Sequence, residues 1–211
     1  MSNYRLQLQF DKNTLHEIKQ AKQRVMLAKP VNGEDPNVVW LSVDPFESTE
    51  IEWSEEYGIY VSSTGVQHGA AIRKISETEI PAQDGDLYEL TDEATFRGPI
   101  DDDNVPRGSF AAHNKMHYED YPSLTFGLTQ TALINQKPAE RKPISATPVI
   151  ATQHAVMTPF THVYIWLQAE FESETIITKI SGDPTIVRFG GGVDEMSLTY
   201  QPKVGKFTTA N

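Results

Sequence analysis

Apolar and polar residues alternate in short runs along most of this chain, and the runs are bounded by Pro, Gly, Asn and Asp. Strict alternation, or a brief continuous apolar run between turn residues, is the signature of β-strands. The pattern predicts strands over 5–10, 38–43, 49–53, 58–62, 70–75 and 86–90, and then over 124–128, 148–152, 163–168, 175–180, 185–189, 196–200 and 206–209. So many strands point to an all-β, mainly antiparallel protein, and a β-sandwich is the simplest way to bury them. Helix has a single candidate site, near the start. There Thr14-Leu15-His16-Glu17 has the form of a capping box, and Leu15, Ile18 and Val25 fall on one helical face. The matching stretch of the second half, 131–142, contains Pro138, which would remove a hydrogen bond and clash inside a helix.

The strand pattern repeats. Val38-Val39-Trp40-Leu41 leads to Phe46-Glu47-Ser48 and Ile51, while Tyr164-Ile165-Trp166-Leu167 leads to Phe171-Glu172-Ser173 and Ile176, with the same Ser-to-Ile spacing. Internal similarity suggests one supersecondary unit used twice. The expected organisation is a first β-rich half over 1–91, an acidic crossover over 92–123 and a second half over 124–211, packed as one pseudo-symmetric domain. On this reading Trp40, Trp166, Phe46 and Phe171 are equivalent core residues. The two Phe-Glu-Ser segments read as turns.

Charge narrows the partners. The formal net charge is -11, and it is uneven: residues 1–91 carry 8 basic and 15 acidic groups, 92–123 carry 3 and 7, and 124–211 carry 7 of each. Such a surface repels phosphate backbones and gains nothing from counterion release, which argues against nucleic acid. Anionic lipid is disfavoured for the same reason, while neutral lipid, carbohydrate and protein ligands are compatible. There is no cysteine, hence no disulfide or thiolate chemistry. The first residues show no apolar core of a signal segment, so the expected location is the cytoplasm, with signal-independent release as a variant.

No reaction motif stands out: Gly-x-Ser-x-Gly, His-Glu-x-x-His and a phosphate-cradling glycine loop are all missing from the sequence. A non-enzymatic protein is therefore expected. Two metal constellations come under consideration. His113 and His117 are four apart, on one side of a helix or strand, with carboxylates following. Asp101, Asp102 and Asp103 could offer oxygens to calcium, the one cofactor considered, but Pro106 stands where an EF-hand would need glycine. A solvated polar loop and an acidic, protease-accessible turn through Arg107 are the simpler readings.

The aromatics carry more information. Trp53 and Tyr57 are aromatic only in the first copy and lie among Glu55 and Glu56; Thr178 stands opposite Trp53 in the second. Rings beside carboxylates are common equipment of a binding face, so Trp53, Tyr57, Glu55 and Glu56 form the candidate site, with burial of the rings as the alternative. The expected function is lectin-like binding of a carbohydrate or protein ligand. Two other functions compete: a membrane-active toxin in its water-soluble form, using Trp53, Tyr57, Tyr118 and Tyr121 at a lipid interface, and a self-associating structural or storage protein.

Overall fold

A computed structural model describes residues 2–33 and 35–209. The described chain is all-β except for one helix, and most of its strand pairs are antiparallel. The strands are β1 (Asn3–Gln9), β2 (Arg24–Ala28), β3 (Val38–Val39), β4 (Leu41–Val43), β5 (Ser48–Ser62) and β6 (Lys74–Glu77). They continue as β7 (Asp86–Leu90), β8 (Phe96–Asp101), β9 (Phe110–Asn114), β10 (Ser123–Ile134), β11 (Lys137–Pro143) and β12 (Thr147–Ile150). The last six are β13 (His154–Met157), β14 (His162–Gln168), β15 (Thr175–Ile176), β16 (Thr185–Arg188), β17 (Glu195–Gln201) and β18 (Lys206–Thr209). The largest sheet runs β11-β10-β5-β1-β17-β18, with β12 added to β10 and β6 to β5. Two four-stranded sheets, β13-β9-β7-β8 and β16-β14-β2-β4, and a β15-β3 pair complete the fold.

One apolar core joins the three larger sheets. β1 buries Tyr4, Leu6 and Leu8 and turns Arg5 and Gln7 outward, as period-2 alternation requires. Its buried side chains belong to one apolar cluster with Val25 and Leu27 of β2, Val163 and Ile165 of β14, and Leu90 and Ala112 of β7 and β9. The second half of β5 is buried without alternation, because a smaller cluster of Val38, Tyr60, Ile72, Ala146 and Ile176 covers its other face. Close approach here depends on Gly127, where a Cβ would lie 1.9 Å from the Ser145 carbonyl oxygen. The Tyr60 hydroxyl donates to that same oxygen at 2.7 Å.

The helix, Lys12–Gln20, forms where expected but starts earlier than the capping box implies. Asp11 is the N-cap, its carboxylate accepting from the Asn13 and Thr14 amides, each at 3.0 Å. Leu15 and Ile18 do face the core, whereas Val25 belongs to β2. Residues 131–142 are the end of one strand and most of another, joined by the two-residue turn Asn135-Gln136. Both turn residues have positive φ, 47° and 66°, as the tight hairpin connection demands.

The two sequence copies do not fold alike. β5 is one unbroken strand of 15 residues, but the corresponding part of the second copy yields only Thr175–Ile176 and, after an irregular stretch, β16. Gly182, at φ 85°, and Pro184 interrupt it, and neither suits a strand interior. Strands from 1–91 and from 124–211 share the large sheet, where β5 and β1 lie between β10 and β17, and they meet again at β14-β2 in β16-β14-β2-β4. Trp40, Trp166 and Phe171 are buried, but Trp40 and Trp166 sit in separate clusters. Phe46 is 50% exposed, contrary to its assignment to the core, and the Lys19 ammonium lies 5.3 Å from its ring centroid. Nor is the crossover 92–123 simply a loop, since it supplies β8 and the buried β9. Among the described residues, no helix is long and apolar enough to cross a membrane.

Candidate functional site

The candidate residues lie on β5 where its pairing with β10 slips. Trp53 is opposite Ala132 and Tyr57 opposite Gln130, so Ser54, Glu55 and Glu56 face the single residue Thr131. A local excess of residues on one strand bends it and re-aims side chains. Alternation then divides the site between two faces of the sheet. Trp53, Glu55 and Tyr57 turn inward, while Glu52, Ser54 and Glu56 turn outward.

The inward group surrounds Lys29, which has no exposed surface. Its ammonium donates to Gln130 Oε1 at 2.7 Å, Glu55 Oε1 at 3.2 Å and the Tyr57 hydroxyl at 3.3 Å. Three donors thus have three acceptors, which a buried charge requires. The Tyr57 hydroxyl donates in turn to Glu55 Oε2, and Gln130 Nε2 donates to the Ser54 carbonyl at 2.7 Å. The ring centroids of Tyr57, Trp40 and Trp53 stand 5.4, 5.5 and 5.8 Å from the ammonium, within cation–π range. Burial lowers the Lys29 pKa and the Glu55 carboxylate works against that; burial first, then Glu55, raises the Tyr57 pKa.

Trp53 and Tyr57 are therefore 4% and 3% exposed, and they wall an internal lysine and do not form a displayed binding face. A sealed amine cannot meet a solute, so this cage acts as a cross-link between β5, β10 and the end of β2. Both rings are also withdrawn from any lipid interface. Tyr118 and Tyr121 are exposed, at 62% and 42%.

Glu56, on the outward face, lines a cleft of about 470 Å³ with Arg5, Glu52, Leu133 and Glu195, and the buried Trp53 contributes to its wall. Asp194 also contributes, giving four carboxylates and one guanidinium. Arg5 approaches Glu52 at 2.9 Å, Glu195 at 3.4 Å and Glu50 at 3.7 Å. The Glu52 hydrogen bond and the negative charges around it raise the Arg5 pKa. Glu56 accepts from the Ser54 hydroxyl at 3.1 Å, and among the described residues no Lys or Arg pairs with Glu56 or Asp194. The cleft is thus a preformed anionic concavity.

The metal candidates are dispersed. Asp101 ends β8, and Asp102 accepts from the backbone and side-chain nitrogens of Asn104, at 3.0 and 2.8 Å, which lower its pKa. Asp103 is exposed beside it, and the turn through Arg107 is hydrogen-bonded, with Val105 buried. His113 lies in β9, whereas His117 is exposed beyond it, 4.0 Å from Asp92. Among the described residues, no three His, Cys, Asp or Glu side chains gather to hold a metal ion.

Sequence reasoning missed Lys29, Gln130 and Arg5. The signal for Lys29 was a lysine closing the apolar run Val25-Met26-Leu27-Ala28 just before Pro30, where a solvated lysine would be out of place. No protein-family model matches this chain, and no curated protein or solved structure matches it either, so its chemistry alone speaks for the site.

Proposed function

We propose that this is a non-enzymatic recognition protein, and that its ligand is a protein segment carrying basic side chains, bound in the outward cleft beside Glu56. The observation that carries this reading is the lining: four carboxylates against one guanidinium, with Glu56 and Asp194 free of a cationic partner among the described residues. A concave site with one sign of charge concentrates ligands of the other sign and speeds their arrival. Leu133, 39% exposed, offers the stem of a lysine or arginine an apolar surface. Tyr57 is buried away from the cleft, and Trp53, although it contributes to the cleft wall, is only 4% exposed, which leaves little of a stacking platform for a sugar and favours a protein ligand. The membrane reading loses the same two rings, and the exposed Tyr118 and Tyr121 flank Glu119 and Asp120, which cost free energy at a lipid interface.

Fluorescence anisotropy with labelled penta-arginine and penta-glutamate peptides tests the proposal. Penta-arginine should bind saturably and ever more weakly as salt is raised, and penta-glutamate should not bind. The Glu56→Gln/Glu195→Gln double variant should weaken binding by roughly three- to tenfold, the scale of two partly exposed ion pairs. Equal affinity in the double variant, or saturable binding of neutral glycans with none of penta-arginine, would overturn it.

A further inference from the structure

In the β13-β9-β7-β8 sheet, two imidazoles meet outside the site described above. His113 of β9 and His154, the first residue of β13, are direct partners in an antiparallel pair, their ring centroids 4.1 Å apart and their planes at 87°. We propose that His113 and His154 form a two-histidine site for a divalent transition-metal ion of the zinc or copper type.

The backbone on which the pair stands is fixed before any ion arrives. Asn114, next to His113, is fully buried; its side-chain nitrogen donates to the Val149 carbonyl at 3.0 Å, and its Oδ1 accepts from the Met116 amide at 3.2 Å. Two backbone bonds then lock β9 to the turn that carries His154: the Asn114 amide to the Gln153 carbonyl at 2.9 Å, and the Thr152 amide to the Asn114 carbonyl at 2.7 Å. Thr152 holds this turn with φ 71°. Ligands presented by neighbouring strands in a fixed register lose little freedom when an ion joins them, which is the condition for useful affinity from few ligands.

Glu89 is the partner of His113 across the parallel β7–β9 pair, its carboxylate bridged to Lys115 at 2.5 Å. Metal binding uses the neutral imidazole, the form in which a ring nitrogen keeps its lone pair. Because no third ligand is gathered among the described residues, water completes the coordination shell, and His154 is exposed on the side from which water and ion would come. Imidazole nitrogen is a borderline ligand that suits zinc, copper and nickel over calcium or magnesium.

Titration of the full chain with Cu²⁺ alone, and separately with Zn²⁺, followed by calorimetry and by the copper electron paramagnetic resonance spectrum, should give one saturable site with two nitrogen ligands and a raised Tm. His154→Gln and His113→Gln should each weaken it at least about tenfold, since loss of groups that merely orient ligands already costs that much. His117→Gln should change nothing. Metal-free melting curves of each variant separate loss of the site from loss of the fold; His154, exposed at a strand end, is the safer position. Undiminished affinity in His154→Gln and His113→Gln, loss in His117→Gln, or no saturable binding of either ion would overturn the proposal.

Discussion

Lys29 shows how far one side chain can depart from what its type suggests. A lone lysine inside a protein would surrender its charge, but here three acceptors and three rings surround it. Breaking such a set costs more than never having it, because the group left behind stays buried. Lys29→Met should therefore destabilise by about 3 kcal/mol in urea unfolding, while the Lys29→Met/Glu55→Gln pair should recover most of that loss. The pH response follows from the lowered Lys29 pKa. Between that value and the unfolded-state value near 10.5, the unfolded chain holds more protons than the native one, so this residue makes stability rise with pH. Lys29→Met should lack that rise. At this scale the sequence was legible for the tryptophans, since Trp40 and Trp166 sit in apolar runs and are buried. It was misleading for Phe46, whose position in a repeated tripeptide says nothing about which side of a turn its ring takes. Alternation puts Trp53, Glu55 and Tyr57 on one side of β5, but only the tertiary partner, Lys29, decides that the side is inward.

Turns and bulges decided which elements could be anticipated. β7 and β18 coincide with the predicted 86–90 and 206–209, because each is a short alternating run between turn residues. Those over 49–53 and 58–62 are one strand, since the polar Ser54-Glu55-Glu56 segment that looks like a loop is the irregular step opposite Thr131. β2, β8, β9, β11 and β13 went unrecognised; in β11, for instance, Lys137-Pro138-Ala139-Glu140-Arg141 has no apolar alternation and holds its place by pairing with β10. Two substitutions on β10 and its turn should move stability in opposite directions. Gln136→Gly, at φ 66°, relieves a conformation that costs an ordinary residue 1–2 kcal/mol, so a gain of about 0.5–1 kcal/mol is expected after the entropy of the unfolded glycine is counted. Gly127→Ala forces a Cβ into the Ser145 carbonyl and the Tyr60 ring and should cost about 3 kcal/mol or more. Chemical denaturation of both variants checks the pair, and a stable Gly127→Ala protein would refute the packing described around Tyr60.

For the whole molecule, fold class was open to a reader of the sequence and strand order was not, because β-pairing joins segments that carry no mutual mark. The parallel contact of β1 with β17 is the clearest case: Leu6 and Leu8 lie beside Met196 and Leu198, some 190 residues away along the chain. That contact has a consequence in time. On a ribosome adding ~5–20 residues per second, β1 waits roughly 10–40 s for its neighbour. For that interval one edge of the central sheet is open, and its alternating Tyr4, Leu6 and Leu8 are available to any other extended segment nearby. A chain stopped at residue 190 should accordingly fail to give a cooperative melting transition and should bind chaperones or aggregate, whereas the full chain melts in one step. Folding is expected to be slow, on the ms–s scale of proteins dominated by distant pairings. Of the described strands, β1 has a neighbour that is among the last to arrive, so its open edge is the place where shelter matters most.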